Sequence, residues 1–371
     1  MSRQMMSTLA MFAVMERHSW IIVGAGQAGL AVAYTLRRAG IADVVLLDAE
    51  QGPGGAWRHT WPSLVLFSPR EASTLPGMFF PPTKDLYPTR DEALSYLASY
   101  EQRYGFDIRR PVNVVSVAPI NDGFRLETSE GAFEADHVVG CTGTWSEPVL
   151  PNIDGIDSYT GRILHSGHYG GPGDDQNESQ RGFQNHRVIV VGGGNSGAQI
   201  FADLDAVAHV TWCVREPPTF LPDDVDGRVL FDAASLKRKA IESGSATTPT
   251  STLGDIVMVP SLRALRDRGR LHHTMMFERF TATGVIWSDG TEEHVDDVIF
   301  ATGFRPALRP FAPCLTITED GRIPLRNSAV VNCPGLYLVG YGNWTGYASA
   351  TLIGVGMAAK TIVSDLDTSR S

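Results

Sequence analysis

Two glycine-rich segments with the same spacing are the part of this 371-residue sequence most suited to chemistry. The first fingerprint reads G-A-G-Q-A-G over 24–29, and the second reads G-G-G-N-S-G over 192–197. In the pattern G-x-G-x-x-G, the glycines permit a tight turn, close approach of the backbone to a pyrophosphate, and close helix–strand packing. Two fingerprints predict two dinucleotide sites on one polypeptide, which narrows the function to a small set of redox enzymes.

A charged residue beyond each fingerprint distinguishes the two sites. Asp48 lies nineteen residues after Gly29, close to the spacing of about 20 at which an acid hydrogen-bonds an adenosine ribose. Arg215 lies eighteen residues after Gly197, where a guanidinium suits the 2′-phosphate of NADPH. Glu216 could instead accept from a ribose 2′-hydroxyl and would repel a phosphate. We therefore predict that NADPH is preferred and that NADH is tolerated.

The elements that must position these residues follow from the apolar pattern. Each fingerprint follows a short apolar strand and opens a helical stretch, 28–39 in the first unit and 196–208 in the second. A second strand then ends at Asp48 or just before Arg215. This order predicts an α/β fold with two Rossmann-like dinucleotide-binding domains.

Strand-like segments return near the C-terminus, which predicts that one domain is inserted within the other. The expected boundaries are 18–170 and 299–371 for an FAD-binding domain, 171–298 for an NAD(P)H-binding domain, and 1–17 for an N-terminal extension.

Composition restricts the partners. The net charge of -10 disfavours nucleic acid, and no apolar run reaches the roughly 18 residues that span a bilayer. The four cysteines, at 141, 213, 314 and 333, are far apart and form no C-x-x-C pair for a metal or a thiol relay. We expect a cytoplasmic protein without a metal site, assembled as a homodimer, the commonest soluble assembly.

Further motifs resemble those of the group B flavin-dependent monooxygenases, especially small bacterial flavin-containing monooxygenases and relatives from arsenic-resistance clusters. Residues 54–57 resemble the G-G-x-W turn, 159–169 resemble F-x-G-x-x-x-H-x-x-x-[Y/F], 300–304 resemble F-A-T-G-[FY], and 141–143 resemble an earlier A-T-G segment. The resemblance covers roughly 18–360. It implies FAD and NADPH as cofactors, with O2 and a small organic molecule as substrates.

The fingerprints and the resemblance together give a set of expected cofactor contacts. They are Gly24, Gly26, Gln27, Ala28, Gly29, Asp48, Ala49, Gly55, Ala56, Trp57, Leu66, Val114, Thr142, Gly143, Gly192, Gly194, Asn195, Ser196, Gly197, Arg215, Glu216, Thr302, Gly303, Tyr341 and Asn343.

Three residues are expected at or near the reaction centre by the same resemblance. Phe67 stands where larger members carry an asparagine near the flavin, so we expect more NADPH oxidation to end in hydrogen peroxide. His165 is the histidine of the 159–169 motif and is expected to organise the domains rather than to donate protons. Tyr169 ends that motif, where related Baeyer–Villiger enzymes usually have tryptophan.

The resemblance implies that NADPH reduces the flavin and that O2 then forms a C4a-(hydro)peroxyflavin, which oxygenates soft nucleophiles, chiefly sulfides. Baeyer–Villiger oxidation, N-oxygenation and NAD(P)H oxidation without oxygenation stay open. A disulfide reductase would need a redox cysteine pair beside the flavin, which the cysteine spacing disfavours. A flavin-binding redox sensor is the alternative outside the enzymes.

Overall fold

The computed structural model describes residues 15–173, 182–226, 255–319, 322–346 and 348–369. Within these ranges the strands are β1 (Glu16–Val23), β2 (Val44–Leu47), β3 (Asp107–Arg109), β4 (Val114–Ile120), β5 (Gly123–Thr128), β6 (Gly131–Gly140), β7 (Arg162–His165), β8 (Arg187–Val191), β9 (His209–Val214), β10 (Thr274–Met275), β11 (Arg279–Phe280), β12 (Gly284–Ile286), β13 (Glu292–His294), β14 (Asp297–Phe300), β15 (Leu325–Arg326), β16 (Ala329–Val330) and β17 (Leu336–Leu338). The helices are α1 (Gln27–Arg38), α2 (Arg90–Tyr104), α3 (Asn195–Leu204), α4 (Pro260–Asp267) and α5 (Leu352–Ser369).

The first sheet places the first fingerprint at its centre. Its strand order is β15–β16–β17–β6–β1–β2–β3, and the β4–β5 hairpin pairs with β6. β1 pairs in parallel with β2 and β6, so that Val23 lies opposite Leu47 on one side and Gly140 on the other. The carboxyl ends of these strands therefore meet at one edge, where open α/β sheets bind their ligands.

The second sheet repeats this arrangement around the second fingerprint. Its five strands are all parallel, in the order β10–β9–β8–β14–β7. Helix α3 connects β8 to β9, and a small antiparallel sheet, β11–β12–β13, completes this part of the chain. The predicted α/β fold with two dinucleotide-binding units is confirmed.

Strand pairing differs from the predicted domain boundaries at two strands. The sequence places 162–165 in the flavin domain and divides 297–300 between the domains, whereas β7 and β14 pair with each other in the second sheet. Short apolar runs carry no signal for the sheet that they join, because pairing depends on distant segments. β1 also begins at Glu16, inside the predicted extension, of which 1–14 lie outside the described residues.

The chain crosses between the sheets twice, and the two crossings lie side by side. Backbone hydrogen bonds join them from Val149 N to Gly303 O at 3.0 Å, from Arg305 N to Glu147 O at 2.8 Å, and from the amide of residue 307 to the carbonyl of residue 143 at 2.9 Å. The paired crossings form a short two-stranded connection between the two cofactor-binding units.

Apolar cores lie on both faces of each sheet. Helices α1 and α5 pack together over one face of the first sheet, with Leu30, Val355 and Ile362 fully buried there. On the second sheet, α3 and α4 cover one face through Ile200 and Leu262. These layers hold α1 and α3 in place, and both helices begin at a fingerprint.

Candidate active site

The first fingerprint forms a tight turn that only glycine accommodates. Gly24 has a φ of 101°, and a Cβ there would lie 2.5 Å from the carbonyl oxygen of Cys141. A Cβ on Gly29 would lie 1.9 Å from the carbonyl oxygen of Gly24. Helix α1 begins just after Gly26 with no side-chain cap and no acid in its first turn. Its free N–H groups and positive end therefore fit a pyrophosphate.

The G-G-x-W turn packs directly on this fingerprint. A Cβ on Gly55 would lie 2.7 Å from the Cα of Gly26, so the contact requires glycine at position 55. The indole Nε1 of Trp57 donates to Gln27 Oε1 at 3.0 Å, and Gln27 Nε2 donates to the carbonyl oxygen of Ala350 at 2.6 Å. Gln27 thus ties three segments together around the start of α1.

Asp48 lies at the end of β2, as expected, but it is held by a partner that the sequence did not reveal. Arg110 Nε donates to Asp48 Oδ2 at 2.5 Å, while both terminal nitrogens of Arg110 donate to Glu101 at 2.7 Å. Burial alone would lower the pKa of Arg110, but the hydrogen bonds to the two carboxylates together outweigh it and raise that pKa. Arg110 therefore fixes the orientation of the carboxylate that is predicted to meet a ribose.

The earlier A-T-G-like segment lies beside the first fingerprint, where the carbonyl of Cys141 faces Gly24, whereas the later one lies beside the second fingerprint, where the carbonyl of Ala301 faces Gly192. Thr142 N donates to the Tyr341 hydroxyl at 3.1 Å, and Thr142 Oγ1 donates to the carbonyl of Ala307 at 2.6 Å. Burial raises the pKa of Tyr341, which keeps its phenol protonated. Asn343 Oδ1 accepts from Ala348 N at 3.2 Å, within the loop before α5.

Gly143, Thr302 and Gly303 belong to the two A-T-G-like segments, whereas Leu66 lies in the loop that pairs with 88–90 and Val114 begins β4. The contacts of these residues with a cofactor stay predictions, as do those of Ala28, Ala49 and Ala56.

The second fingerprint has the same geometry. A Cβ on Gly192 would lie 2.4 Å from the carbonyl oxygen of Ala301, and one on Gly197 would lie 2.2 Å from that of Gly192. Helix α3 begins after Gly194, again without a side-chain cap or an acid in its first turn. The site thus fits a second pyrophosphate.

The side chain of Asn195 is already engaged with another segment of the second domain. Its Nδ2 donates to the carbonyl of Asp255 at 3.1 Å, and its Oδ1 accepts from Val257 N at 3.0 Å. Ser196 is exposed in the first turn of α3, and Arg215 and Glu216 are exposed just beyond β9. Their interactions with a nucleotide stay predictions.

Gln199 joins the second domain to the loop that carries Phe67. Val65 N donates to Gln199 Oε1 at 3.2 Å, and Gln199 Nε2 donates to the carbonyl of Val65 at 3.1 Å. The other edge of this loop is paired with 88–90, through an isolated bridge between Val65 and Thr89. The buried amide of Gln199 therefore completes a small sheet across the domain interface.

Tyr169 makes a second connection at this interface. Its hydroxyl donates to Asp203 Oδ2 on α3 at 2.8 Å, and its ring packs edge-on against Trp61 at 5.8 Å between centroids. Burial raises the pKa of Tyr169, so the phenol stays protonated and donates this hydrogen bond. The structure thus places Tyr169 in the interdomain packing.

His165 lies at the end of β7 and is buried. Its Nδ1 accepts from Gly167 N at 3.1 Å, and its ring packs edge-on against Phe304 at 4.7 Å. Burial lowers the pKa of His165, so the imidazole is neutral at pH 7. His165 thus contacts Phe304 in one of the two crossings between the sheets. This contact agrees with the expectation that His165 organises the domains, and that role stays a prediction.

Gln199 and Arg110 are the site residues that sequence reasoning missed. Gln199 could have been found from the sequence, because it lies four residues after Asn195 on α3 and therefore on the same face of that helix. No sequence pattern indicates Arg110, because Asp48 and Glu101, the two acids that it binds, come from separate elements. Among the residues that the structure describes, no cluster of His, Cys, Asp or Glu could hold a metal ion, and no described helix is long and apolar enough to cross a membrane.

The fold and both glycine sites define a flavoprotein oxidoreductase with two dinucleotide sites. The family model described as pyridine nucleotide-disulphide oxidoreductase matches residues 21–230, more than half of the chain. A variant of a flavin monooxygenase from Stenotrophomonas maltophilia is 41% identical, with a TM-score of 0.84 over 96% of this chain and 100% of that one. The chain belongs to this oxidoreductase family and, within it, to the FAD- and NADPH-dependent flavin monooxygenases.

Two relatives from other organisms extend the comparison. An uncharacterized oxidoreductase CzcO-like of Geobacillus kaustophilus is 30% identical over 93% of this chain and 97% of that protein. A probable indole-3-pyruvate monooxygenase of Arabidopsis thaliana, YUCCA4, is 30% identical over 77% of this chain and 75% of that protein. The resemblance inferred from the motifs is thereby confirmed, and the comparisons favour an enzyme over a redox sensor.

Proposed function

We propose that this flavin monooxygenase uses NADPH and O2 to oxygenate small organic sulfides to sulfoxides. The observation that carries the choice of substrate is the apolar cluster at Phe67, whose half-buried ring packs against Ala72 and Ala348. A thioether is a neutral, soft nucleophile that needs no proton removed before it accepts oxygen. Uncharged, largely apolar surroundings of the kind that Phe67 provides therefore suit it.

The first fingerprint is proposed to hold FAD. The free N–H groups at the start of α1 bind the pyrophosphate, and Asp48, oriented by Arg110, accepts from the adenosine ribose. The indole of Trp57 is fixed by Gln27 beside the same helix end. Bound FAD supplies the hydride acceptance and the O2 chemistry of the reaction.

The second fingerprint is proposed to hold NADPH. The uncapped start of α3 binds the pyrophosphate, and Arg215 pairs with the 2′-phosphate through its guanidinium. Glu216 beside it accepts from a free 2′-hydroxyl, so NADH is used less well rather than rejected. The hydrogen bonds of Gln199 to Val65 and the packing of Tyr169 on Trp61 hold this unit against the loop that carries Phe67, which orients the nicotinamide-bearing domain toward the flavin.

A second candidate function is NAD(P)H oxidation that releases hydrogen peroxide without oxygenating a substrate. Phe67 favours it, because a phenyl ring offers no hydrogen bond where larger members carry an asparagine. Baeyer–Villiger oxidation of ketones and N-oxygenation of amines are further alternatives within the same class of enzyme.

Product analysis distinguishes these functions. The purified FAD-loaded protein is mixed with NADPH under air and, in separate reactions, with methyl phenyl sulfide, cyclohexanone or benzylamine. NADPH loss, peroxide and organic products are quantified together, with reactions lacking NADPH as controls. Sulfoxide as the main product supports the proposal. A lactone or an N-oxygenated amine as the main product, or peroxide that accounts for all the NADPH, contradicts it.

Two further features belong to the proposal. We infer a cytoplasmic protein that assembles as a homodimer, the commonest soluble assembly. Light scattering coupled to size exclusion, at several protein concentrations, tests the assembly, and a monomeric mass at all of them contradicts it.

A further inference from the structure

Arg90 occupies an unfavourable place for a cation, the first residue of α2. A helix begins with free N–H groups and a partial positive charge, so acids are favoured in its first turn and cations in its last. Asp91 and Glu92 follow this preference, whereas the guanidinium of Arg90 opposes it. Only 22% of the Arg90 side chain is exposed. An interaction outside α2 must therefore offset this placement.

The guanidinium of Arg90 holds the G-G-x-W turn. Its Nε donates to the carbonyl oxygen of Trp57 and its Nη2 donates to that of Arg58, both at 3.2 Å. Thr60 Oγ1 also donates to the Trp57 carbonyl at 3.0 Å, but it does so from within the same turn. Arg90 therefore attaches the turn, which packs on the first fingerprint, to the start of α2.

The backbone of Arg90 holds the loop that carries Phe67. Its N–H donates to the carbonyl oxygen of Leu64 at 2.9 Å. The other edge of this loop is bonded by Gln199 of α3, through Val65, at 3.1 and 3.2 Å. Arg90 thus joins the turn at the first fingerprint to the loop on which the second domain docks.

These bonds form a continuous path between the two fingerprint helices. The path runs from Gln199 on α3 through the loop at Val65 to Arg90. It continues from Arg90 to Trp57, whose indole is held by Gln27 on α1. Both ends of the path begin a helix that is expected to bind a cofactor.

We propose that Arg90 is a positioning residue for flavin reduction, which fixes the G-G-x-W turn relative to the docked NADPH-binding domain. The proposal rests on the places proposed above for FAD and NADPH. In the step that it serves, a hydride, which is a proton with two electrons, leaves the nicotinamide to give NADP⁺ and is taken up by the oxidised flavin. This transfer requires close and aligned approach, and a displacement of about 1 Å can lower a rate about a hundredfold.

A guanidinium is suited to this role and an ammonium is not. The planar fork of an arginine donates to two acceptors in a fixed geometry, whereas a lysine offers a point charge on a flexible stem. The two carbonyls at 57 and 58 are held by different nitrogens of the fork. Lysine at position 90 should therefore keep the charge but fix the turn only in part.

Anaerobic rapid mixing of the FAD-loaded protein with NADPH tests the proposal. We expect Arg90→Gln to reduce its flavin about tenfold more slowly than wild type at saturating NADPH, the factor that corresponds to one lost hydrogen bond from a charged donor. The dissociation constant for NADP⁺ should change by less than about twofold, because Arg90 shares no partner with the second fingerprint. Arg90→Lys should show an intermediate rate.

Arg70→Gln is the matched control and should behave as wild type. Arg70 pairs with the acid that follows it, Glu71, at 2.8 Å, as Arg90 pairs with Asp91 at 2.9 Å. Among its described contacts, however, Arg70 has no bond to the turn. The comparison separates the effect of the fork from that of a lost ion pair.

The visible circular dichroism of bound, oxidised FAD gives a second result that needs no turnover. The spectrum should change in Arg90→Gln, because the turn beside the flavin is no longer held, and should return toward that of wild type in Arg90→Lys. Neither measurement contains O2 or a sulfide, so a failure of the proposed oxygenation leaves both results unaffected.

A double variant tests the path itself. Because either substitution already breaks the path, Arg90→Gln combined with Gln199→Leu should be no slower than the slower single variant, about thirtyfold below wild type, whereas independent effects would multiply to about three hundredfold. A multiplied effect, a wild-type rate in Arg90→Gln, or weaker NADP⁺ binding that explains the whole loss would overturn the proposal. If Arg90→Gln does not retain FAD, Arg90→Lys carries the comparison, and a wild-type rate and dichroism in that variant would overturn it.

Discussion

Gln199 connects the two cofactor domains through both atoms of its amide group, so its removal should separate nucleotide binding from flavin reduction. Replacement by leucine keeps a side chain of similar size but removes both hydrogen bonds to Val65. A buried polar group left without a partner costs about 1–3 kcal/mol. Because Val65 is only half-buried, the lower end of this range applies to each group, which gives about 2 kcal/mol for its N–H and its carbonyl together.

This energy predicts the size of the kinetic effect. At 1.36 kcal/mol per factor of ten, a loss of about 2 kcal/mol shifts the balance between docked and undocked arrangements by about thirtyfold. We expect Gln199→Leu to lower the rate of flavin reduction at saturating NADPH by up to that factor. The dissociation constant for NADP⁺ should change by less than about twofold, because the bonds that are lost do not involve the fingerprint or Arg215.

Anaerobic rapid mixing with NADPH measures the reduction rate, and a binding titration measures the affinity for NADP⁺. Gln102→Leu, an exposed position on α2, is the matched control and should behave as wild type. The reasoning is refuted if Gln199→Leu reduces its flavin as fast as the control, or if the loss of rate is fully explained by weaker NADP⁺ binding.

Three other expectations can be checked on the purified protein. Gly29→Ala should lose bound FAD, seen as missing visible absorbance, because its Cβ would lie 1.9 Å from the carbonyl oxygen of Gly24. Arg215→Gln should lower kcat/KM for NADPH by about tenfold to a hundredfold, since a hydrogen bond to a charged group contributes about 1.5–3 kcal/mol. Glu216→Gln should instead increase the preference for NADPH over NADH. If neither variant changes the ratio of kcat/KM for NADPH to kcat/KM for NADH, both assigned roles are wrong. Phe67→Asn should release less peroxide per NADPH, measured by the O2 that catalase returns, and an equal or larger release would contradict the role given to Phe67.

Local patterns were enough to predict the two cofactor units. The fingerprints, the strands before them and the positions of Asp48 and Arg215 depend on residues that are neighbours in sequence, and the structure has these elements in the expected order. The helix predicted over 196–208 ends earlier, at Leu204. Helix ends depend on capping and on the following turn, which composition specifies poorly.

Contacts between distant segments could not be predicted in the same way. Arg110 meets Asp48 because β3 lies beside β2, and Gln199 meets Val65 because the two domains dock. Arg162 shows the same limit. Its Nε donates to Asp297 Oδ1 at 2.6 Å because β7 and β14 are neighbours in the second sheet. The pairings of Arg110 and Arg162 follow from strand order, and that of Gln199 follows from domain docking; the sequence encodes neither locally.

The transfer of one oxygen atom from O2 to a sulfide is the central claim, and isotope labelling tests it most directly. The FAD-loaded enzyme, NADPH and methyl phenyl sulfide are combined under ¹⁸O2, with catalase present to remove free peroxide. The account predicts sulfoxide that carries ¹⁸O and forms only with NADPH. Unlabelled sulfoxide, or none while NADPH and O2 are consumed, would contradict it.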